Sequence, residues 1–184
     1  AAETDAILTA MLDPLVVYDA TGTVMRANAA MARLIGHDPC GYGYGALASI
    51  VSLRYPDGQL LRGEDTPAFR TLQGAGAGQE RLLMTDATGQ EKVLMISAAP
   101  LQSDGHPWGV VSIWHDITER EYLLAELERR ISELDATIDS VADGLIIFSP
   151  AGQVLRINPA LRKIAKFPPS VLELSVDEQI ALVR

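Results

Sequence analysis

The chain has 184 residues, 48% of them hydrophobic, with 24 acidic against 15 basic side chains and a single cysteine. That length suits one domain of common size and part of another, and Cys40 alone cannot close an intrachain disulfide, which points to a core-dependent fold in a reducing, cytoplasmic setting. A formal net charge of −9 with dispersed bases argues against nucleic acid as a partner, and apolar stretches such as Ala46 to Leu53 fall far short of the roughly 18 residues a membrane span needs.

In chain order, the β-branched and aromatic run Leu15 to Asp19 predicts a strand, Ala20-Thr21-Gly22 a tight turn, and Thr23 to Ala27 a returning strand. Asn28 stands at an N-cap position before a helix over about Ala29 to Ile35 that stops at Gly36. The glycine-rich stretch from His37 to Gly45 reads as loop and short helical turns. Thr66-Pro67 opens a short helix ending near Gly74, and Gly74 to Gly78 is a link. Three strands follow, Gln79 to Thr85, Glu91 to Leu101 and Trp108 to Ile117, separated by turn clusters at 86–89 and 103–107. This makes five antiparallel strands with the helices inserted between the second and third.

Thr118-Glu-Arg-Glu121 has the pattern of a capping box, in which the threonine hydroxyl covers the N3 amide and the glutamate reaches back. No Gly or Pro follows until Gly144. The apolar positions Ile117, Leu124, Leu127, Ile131, Leu134, Ile138 and Val141 are spaced 7, 3, 4, 3, 4 and 3. That is a heptad seam of about three repeats, the pattern of a parallel dimeric coiled coil or of a helix packing on its own domain.

The stretch from Asp13 to Met31 recurs from Asp143 to Leu161 at an offset of 130 without a gap, with Asp13, Leu15, Gly22, Val24, Arg26, Asn28 and Ala30 identical in the two copies. One strand, turn, strand, helix unit therefore starts twice. The second copy, with Leu145, Ile146, Ile147, Phe148, Val154, Leu155 and Ile157, is too apolar to stand alone as a hairpin. It is expected to pack on a partner copy in preference to the first domain, together with a closing helix capped by Ser175 with Glu178 at N3.

The hairpin Asp19 to Val24, Asn28 opening the helix, Gly36 closing it, the segment Gly63-Glu-Asp-Thr-Pro67 through Arg70-Thr-Leu-Gln-Gly74, and Asp116-Ile117-Thr118 at the end of the last strand resemble PAS domains, the sensory modules of bacterial signalling proteins. Phe167 to Leu174 is similar to how a second PAS domain continues. The resemblance implies an α+β fold: a five-stranded antiparallel sheet with helices on one face, enclosing a pocket. It implies a sensor domain over 5–118, a signalling coiled-coil helix over 119–141 and the N-terminal part of a second PAS domain over 142–184, with an output domain further along a longer chain.

Strand alternation puts Val110, Ser112 and Trp114 on the pocket face, and Val111, Ile113 and His115 on the other. Val17 is added to the pocket, although the face of the first strand is not fixed by its sequence. Trp114 could stack on a planar ligand or fill the cavity. A flavin of the LOV type is disfavoured, because no Asn-Cys-Arg-Phe-Leu-Gln motif is present and Trp114 stands where the flavin-reading glutamine would be. Haem is disfavoured because Thr66 to Gly74 holds no histidine. His37, His106 and His115 have no metal-ligand spacing, and no kinase, nucleotide-loop or cyclase motif appears. Two functions from different classes remain. One is a sensor that binds a small, largely apolar ligand and relays the signal through Asp116, Ile117, Thr118 and Glu121 into a dimer seam of Leu124, Leu127, Ile131, Leu134 and Ile138. The other is a ligand-free dimerisation and relay module; in neither is the chain itself an enzyme.

Overall fold

The computed structural model describes residues 10–165 apart from residue 87. The segment Phe167 to Leu174 and the closing helix expected at Ser175 and Glu178 lie outside the described residues. The chain divides into two units, residues 1–122 and 123–184.

In the first unit, β1 (Leu15–Asp19) and β2 (Val24–Ala27) form a hairpin, followed by α1 (Ala29–Ile35) and α2 (Tyr44–Ile50). A 3-10 turn (Gly63–Asp65) leads into α3 (Pro67–Arg70), which a π turn extends to Ala75. β3 (Gly78–Thr85), β4 (Glu91–Ser103) and β5 (His106–Asp116) complete the sheet. The order is β2-β1-β5-β4-β3, every neighbouring pair antiparallel. The last strand of the sheet in chain order thus lies at the centre, against the first.

Local chemistry sets these elements. Asp19 Oδ1 accepts from the amides of Thr21 and Thr23 at 2.8 and 2.9 Å and from the Thr21 hydroxyl at 2.6 Å. Gly22 takes a φ of +82° that a side chain would resist. Asn28 caps α1 by accepting from the Met31 amide at 2.9 Å, and Gly36 ends it in the left-handed region. Asp86 repeats the Asp-x-Thr lock in the β3–β4 turn, accepting from Thr88 and Gln90.

The core lies between the sheet and the helices. Val16, Tyr18, Leu82, Met84, Leu94, Ile96, Val110 and Trp114 face it from the strands, and Met31, Ile35, Leu47, Ala48 and Leu53 from the other side. Each large aliphatic side chain buried there contributes about 1.5–3 kcal/mol. β5 approaches β1 so closely at Gly109 that a Cβ would meet the Tyr18 carbonyl oxygen at 2.3 Å.

The helix α4 (Thr118–Ser140) starts in the first unit and continues through the second. None of its residues is buried. Leu124, Leu127, Ile131 and Leu134 are exposed, and Ile138 is half-buried. Arg129 and Arg130 pair with Glu126 at 3.0 and 2.8 Å, and Arg129 also pairs with Glu133, contacts worth about 0.2–0.5 kcal/mol each on a helix surface.

Beyond it, β6 (Ile146–Phe148) and β7 (Val154–Ile157) form a two-stranded hairpin and α5 (Pro159–Ala165) follows. The hairpin reproduces the first one in register. Val16 faces Ala27 as Ile146 faces Ile157, Val17 faces Arg26 as Ile147 faces Arg156, and the register slips one residue later in both.

Candidate functional site

Two features of the first unit bear on function: the chamber between sheet and helices, and the junction where β5 becomes α4.

Because directly opposed residues share a sheet face, the register fixes what lines the chamber. Tyr18 opposes Val110 and Val16 opposes Ser112, all facing the helices, as does Trp114. Val17 opposes Val111 on the outer face, so the expectation that Val17 lines the pocket is corrected. Its strand is apolar throughout, Leu15 to Tyr18, and buried on both faces, so alternation carried no information about which residues turn inward. Val16 and Tyr18 take the inward places. On the outer face, Val111 and Ile113 join Ser97 and Ala99 in a shallow apolar hollow of about 300 Å³.

The chamber is nearly full. Tyr18, Tyr44, Ala48, Leu53, Thr66, Ile96, Ser112 and Trp114 surround a residual cavity of about 10 Å³, room for one water molecule at most. Trp114 is buried, and its indole Nε1 donates to Ser112 Oγ at 3.0 Å. The indole therefore satisfies its one donor inside the protein while its ring occupies the space. Burial raises the Tyr18 phenol above its ordinary pKa, and Tyr44 stacks at a tilt on Phe69 with ring centres 4.6 Å apart.

At the junction, Asp116 Oδ1 accepts from the Thr118 amide at 3.0 Å and the Thr118 hydroxyl at 2.6 Å. The other carboxylate oxygen accepts from Lys92 Nζ at 2.8 Å. Burial pushes this carboxyl up, but the hydrogen bonds from Lys92 and Thr118 outweigh it and hold Asp116 below the usual range. The Thr118 hydroxyl accepts in turn from the Val93 amide at 2.9 Å, and the Ile117 amide donates to the Val93 carbonyl at 2.9 Å. Glu121 Oε2 accepts from Arg81 Nε and Nη2 at 3.0 and 2.7 Å.

This differs from the expected capping box. Thr118 is the first helical residue, the Ile117 carbonyl accepts from the Glu121 amide, and Asp116 supplies the side-chain cap. A carboxylate two residues upstream is the stronger acceptor, and Glu121 is drawn across to Arg81 on β3. The first turn of the helix is consequently tied to β3, β4 and β5 together.

Lys92, Val93 and Arg81 were missed by sequence reasoning. Counting back from the β4–β5 turn, where Ser103 faces His106, puts Val93 opposite Asp116, and a slip of one residue between Leu101 and Gln102 moves Leu94 there instead. A hairpin count therefore reaches the neighbourhood of Lys92 and Val93 but not their register; Arg81 it does not reach. Beside the junction a cleft of about 330 Å³ opens between α1 and the start of β4, with Leu34 and Leu94 among its apolar lining and Arg33, Lys92, Asp86 and Asp116 among its polar lining. His115 bonds Asp13 at 2.9 Å, and Cys40 is exposed. Among the described residues no cluster of three or more His, Cys, Asp or Glu is disposed to hold a metal, and no helix is long and apolar enough to cross a membrane.

A sequence model described as the PAS fold matches residues 8–122. Among solved structures, VqmA of Vibrio cholerae is similar, with 12% identity and a TM-score of 0.50 over 65% of this chain and 52% of that one. The PAS domain of BvgS from Bordetella pertussis gives 18% identity and 0.46 over 71% and 96%, and the PAS domain of an HTR-like protein from Haloarcula marismortui gives 17% and 0.47 over 63% and 90%. No curated protein matches the chain.

Proposed function

Because the chain belongs to the PAS fold family, we propose that it is a regulatory, non-catalytic signalling module that works by relay, passing a change in its sheet into α4. The observation that carries this reading is the junction: Asp116, Ile117 and Thr118 bind the helix start to Lys92 and Val93, and Glu121 binds it to Arg81. A shift of β5 against β4 must move the first turn of α4 or break these bonds. Leu124, Leu127, Ile131, Leu134 and Ile138 then form the seam of a parallel homodimer, which would take the exposed apolar row of α4 out of water. The chain is read as a sensor over 5–118, a signalling helix over 119–141 and the start of a second PAS unit over 142–184, placed in a reducing compartment such as the cytoplasm.

The filled chamber favours relay without a resident ligand. The ligand-sensing reading draws on four hydroxyl-bearing residues, Tyr18, Tyr44, Thr66 and Ser112, in a wall that is otherwise mostly apolar. It requires Trp114 to leave its place, since the residual space holds no more than about one water. Val110, Ser112 and Trp114 would then be the ligand contacts.

Sedimentation of Ile131→Asp tests the dimeric relay. The parent is expected as a dimer at roughly tens of micromolar and the variant as a monomer, because an aspartate in the seam would be buried without a partner. An unchanged mass for the variant, or a monomeric parent, overturns it. Native mass spectrometry of freshly purified protein separates the two readings: the bare polypeptide mass is expected, and a stoichiometric adduct would favour the ligand.

A further inference from the structure

The two copies of the repeated unit share one buried side chain with the same set of bonds. Asn28 Oδ1 accepts from the amides of Leu15 and Met31 at 3.0 and 2.9 Å, and its Nδ2 donates to the carbonyls of Asp13 and Met11 at 2.9 and 3.4 Å. Asn158, fully buried, accepts from Leu145 and Leu161 at 2.9 and 3.0 Å and donates to Asp143 and Val141 at 2.9 and 3.1 Å, with Ile138 at 3.4 Å. Every Asn28 partner has its Asn158 counterpart 130 residues on. The oxygen of each asparagine is used inside the hairpin and helix, and its nitrogen is used on the backbone leading into the unit.

In the second unit that incoming backbone is the end of α4, and a second contact grips the same turn. Arg156 pairs with Asp135 and, through Nη2, with Asp139 at 3.1 Å, and also donates to the Asp135 carbonyl. Asp135 and Asp139 stand four residues apart on one helix face. Within the last helical turn Asn158 reaches the Ile138 carbonyl, which also accepts from the Val141 amide at 3.4 Å, and its closer bonds go to the Val141 and Asp143 carbonyls just past the helix end.

We infer that Asn158 and Arg156 form a receiving site for the end of an incoming helix, through which the second unit is coupled to α4. The partner it fits is a helix end with carboxylates four residues apart, followed by the carbonyls of the chain as it leaves the helix: Arg156 reads the carboxylates and Asn158 the carbonyls. The first unit carries the same pair of residue types at Arg26 and Asn28. Displacement of α4 along its axis breaks the Asn158 bonds to Ile138 and Val141 before it disturbs those to Leu145 and Leu161. The site thereby converts helix movement into loss of order at the mouth of the hairpin. This deepens the relay reading, and its test does not depend on dimerisation.

Hydrogen exchange read by mass spectrometry on the whole 184-residue chain tests it. Asn158→Asp keeps the two acceptor bonds inside the unit and turns both donors into acceptors facing carbonyl oxygens. Exchange over residues 136–146 is expected to rise by about tenfold or more, with residues 15–35 unchanged. Arg156→Asp should raise it over the same span, and adding Asp135→Arg and Asp139→Arg to that variant should restore protection. Unchanged exchange in Asn158→Asp, or a charge-swapped triple variant that stays as unprotected as Arg156→Asp, overturns the site. If the single substitutions unfold the whole second unit, recovery in the triple variant still supports it and failure to recover overturns it.

Discussion

The hairpin and helix at residues 15–35 and their counterpart at 145–165 have the same pairing register, the same slip after its second pair and the same asparagine network, yet their burial differs. Tyr18 is 2% exposed while Phe148, at the same place, is 52% exposed; Val16 is fully buried while Ile146 is half-buried. Among the positions that agree are Asn28 and Asn158, both buried, Val24 and Val154, both buried, and Met25 and Leu155, both exposed. The comparison separates two jobs. Backbone geometry follows from a few local residues, the turn glycine and the buried asparagine, and needs nothing further away. Burial of the inward face depends on β3, β4 and β5 and on the helices that roof them, which only the first copy has among the described residues.

If that separation holds, the largest contrast lies at the aromatic positions. Trp114→Ala removes the side chain that fills the chamber and should destabilise the first unit by about 3–5 kcal/mol. Phe148→Ala, at an exposed position, should change stability by no more than about 0.5 kcal/mol. Urea unfolding followed by circular dichroism, with exchange data assigning the transition to each unit, checks both. A Phe148→Ala cost as large as that of Trp114→Ala would mean that the second hairpin is as firmly packed as the first.

What the sequence disclosed follows the same division. The strands, the turns and both asparagine caps were legible because each depends on neighbours within a few residues, and the repeat made Asn28 and Asn158 stand out together. The inward faces of Val110, Ser112 and Trp114 followed from alternation along β5. Val17 misled because Leu15 to Tyr18 is apolar without a break and is buried from both sides. The capping box misled because Asp116 competes for the Thr118 amide and Arg81, 40 residues upstream, captures Glu121. The closed chamber was not legible at all: its volume is what remains after side chains from five separate segments have met, and no spacing rule adds them up.

A finer contrast lies in the two turn glycines. Gly22 and Gly152 have φ values of +82° and +83°, so alanine is strained at either by about 1–2 kcal/mol. At Gly152 nothing lies within 4 Å of the added Cβ, whereas at Gly22 it would meet Tyr44 Cδ1 at 2.5 Å. Gly152→Ala should therefore cost only that strain, about 1–2 kcal/mol, and Gly22→Ala about 1–3 kcal/mol more, since Tyr44 must shift from its place over the chamber. Equal losses in thermal unfolding of the two variants would show that the roof of the first unit yields freely.

The smallest expected effect separates the same turns by charge. Asp19 locks the first turn, while Ser149 holds the matching position and its Oγ accepts from the Gln153 amide at 3.1 Å. Hydrogen bonds from the Thr21 hydroxyl first, then from the Thr23 amide, hold the Asp19 carboxyl below its usual range. A carboxyl lowered in the folded state favours folding above its unfolded pKa, near 4, and that contribution is lost as pH falls through the folded value. Acid should therefore loosen the first turn and leave the second alone. In an amide NMR titration, Thr21 and Thr23 are expected to shift with a midpoint below about 4, while Gln153 shows no matching step. Replacing Asp19 by serine should remove the Thr21 and Thr23 step, making the first turn titrate like the second. A step that persists in Asp19→Ser would assign the titration to another carboxylate and remove Asp19 as the lock.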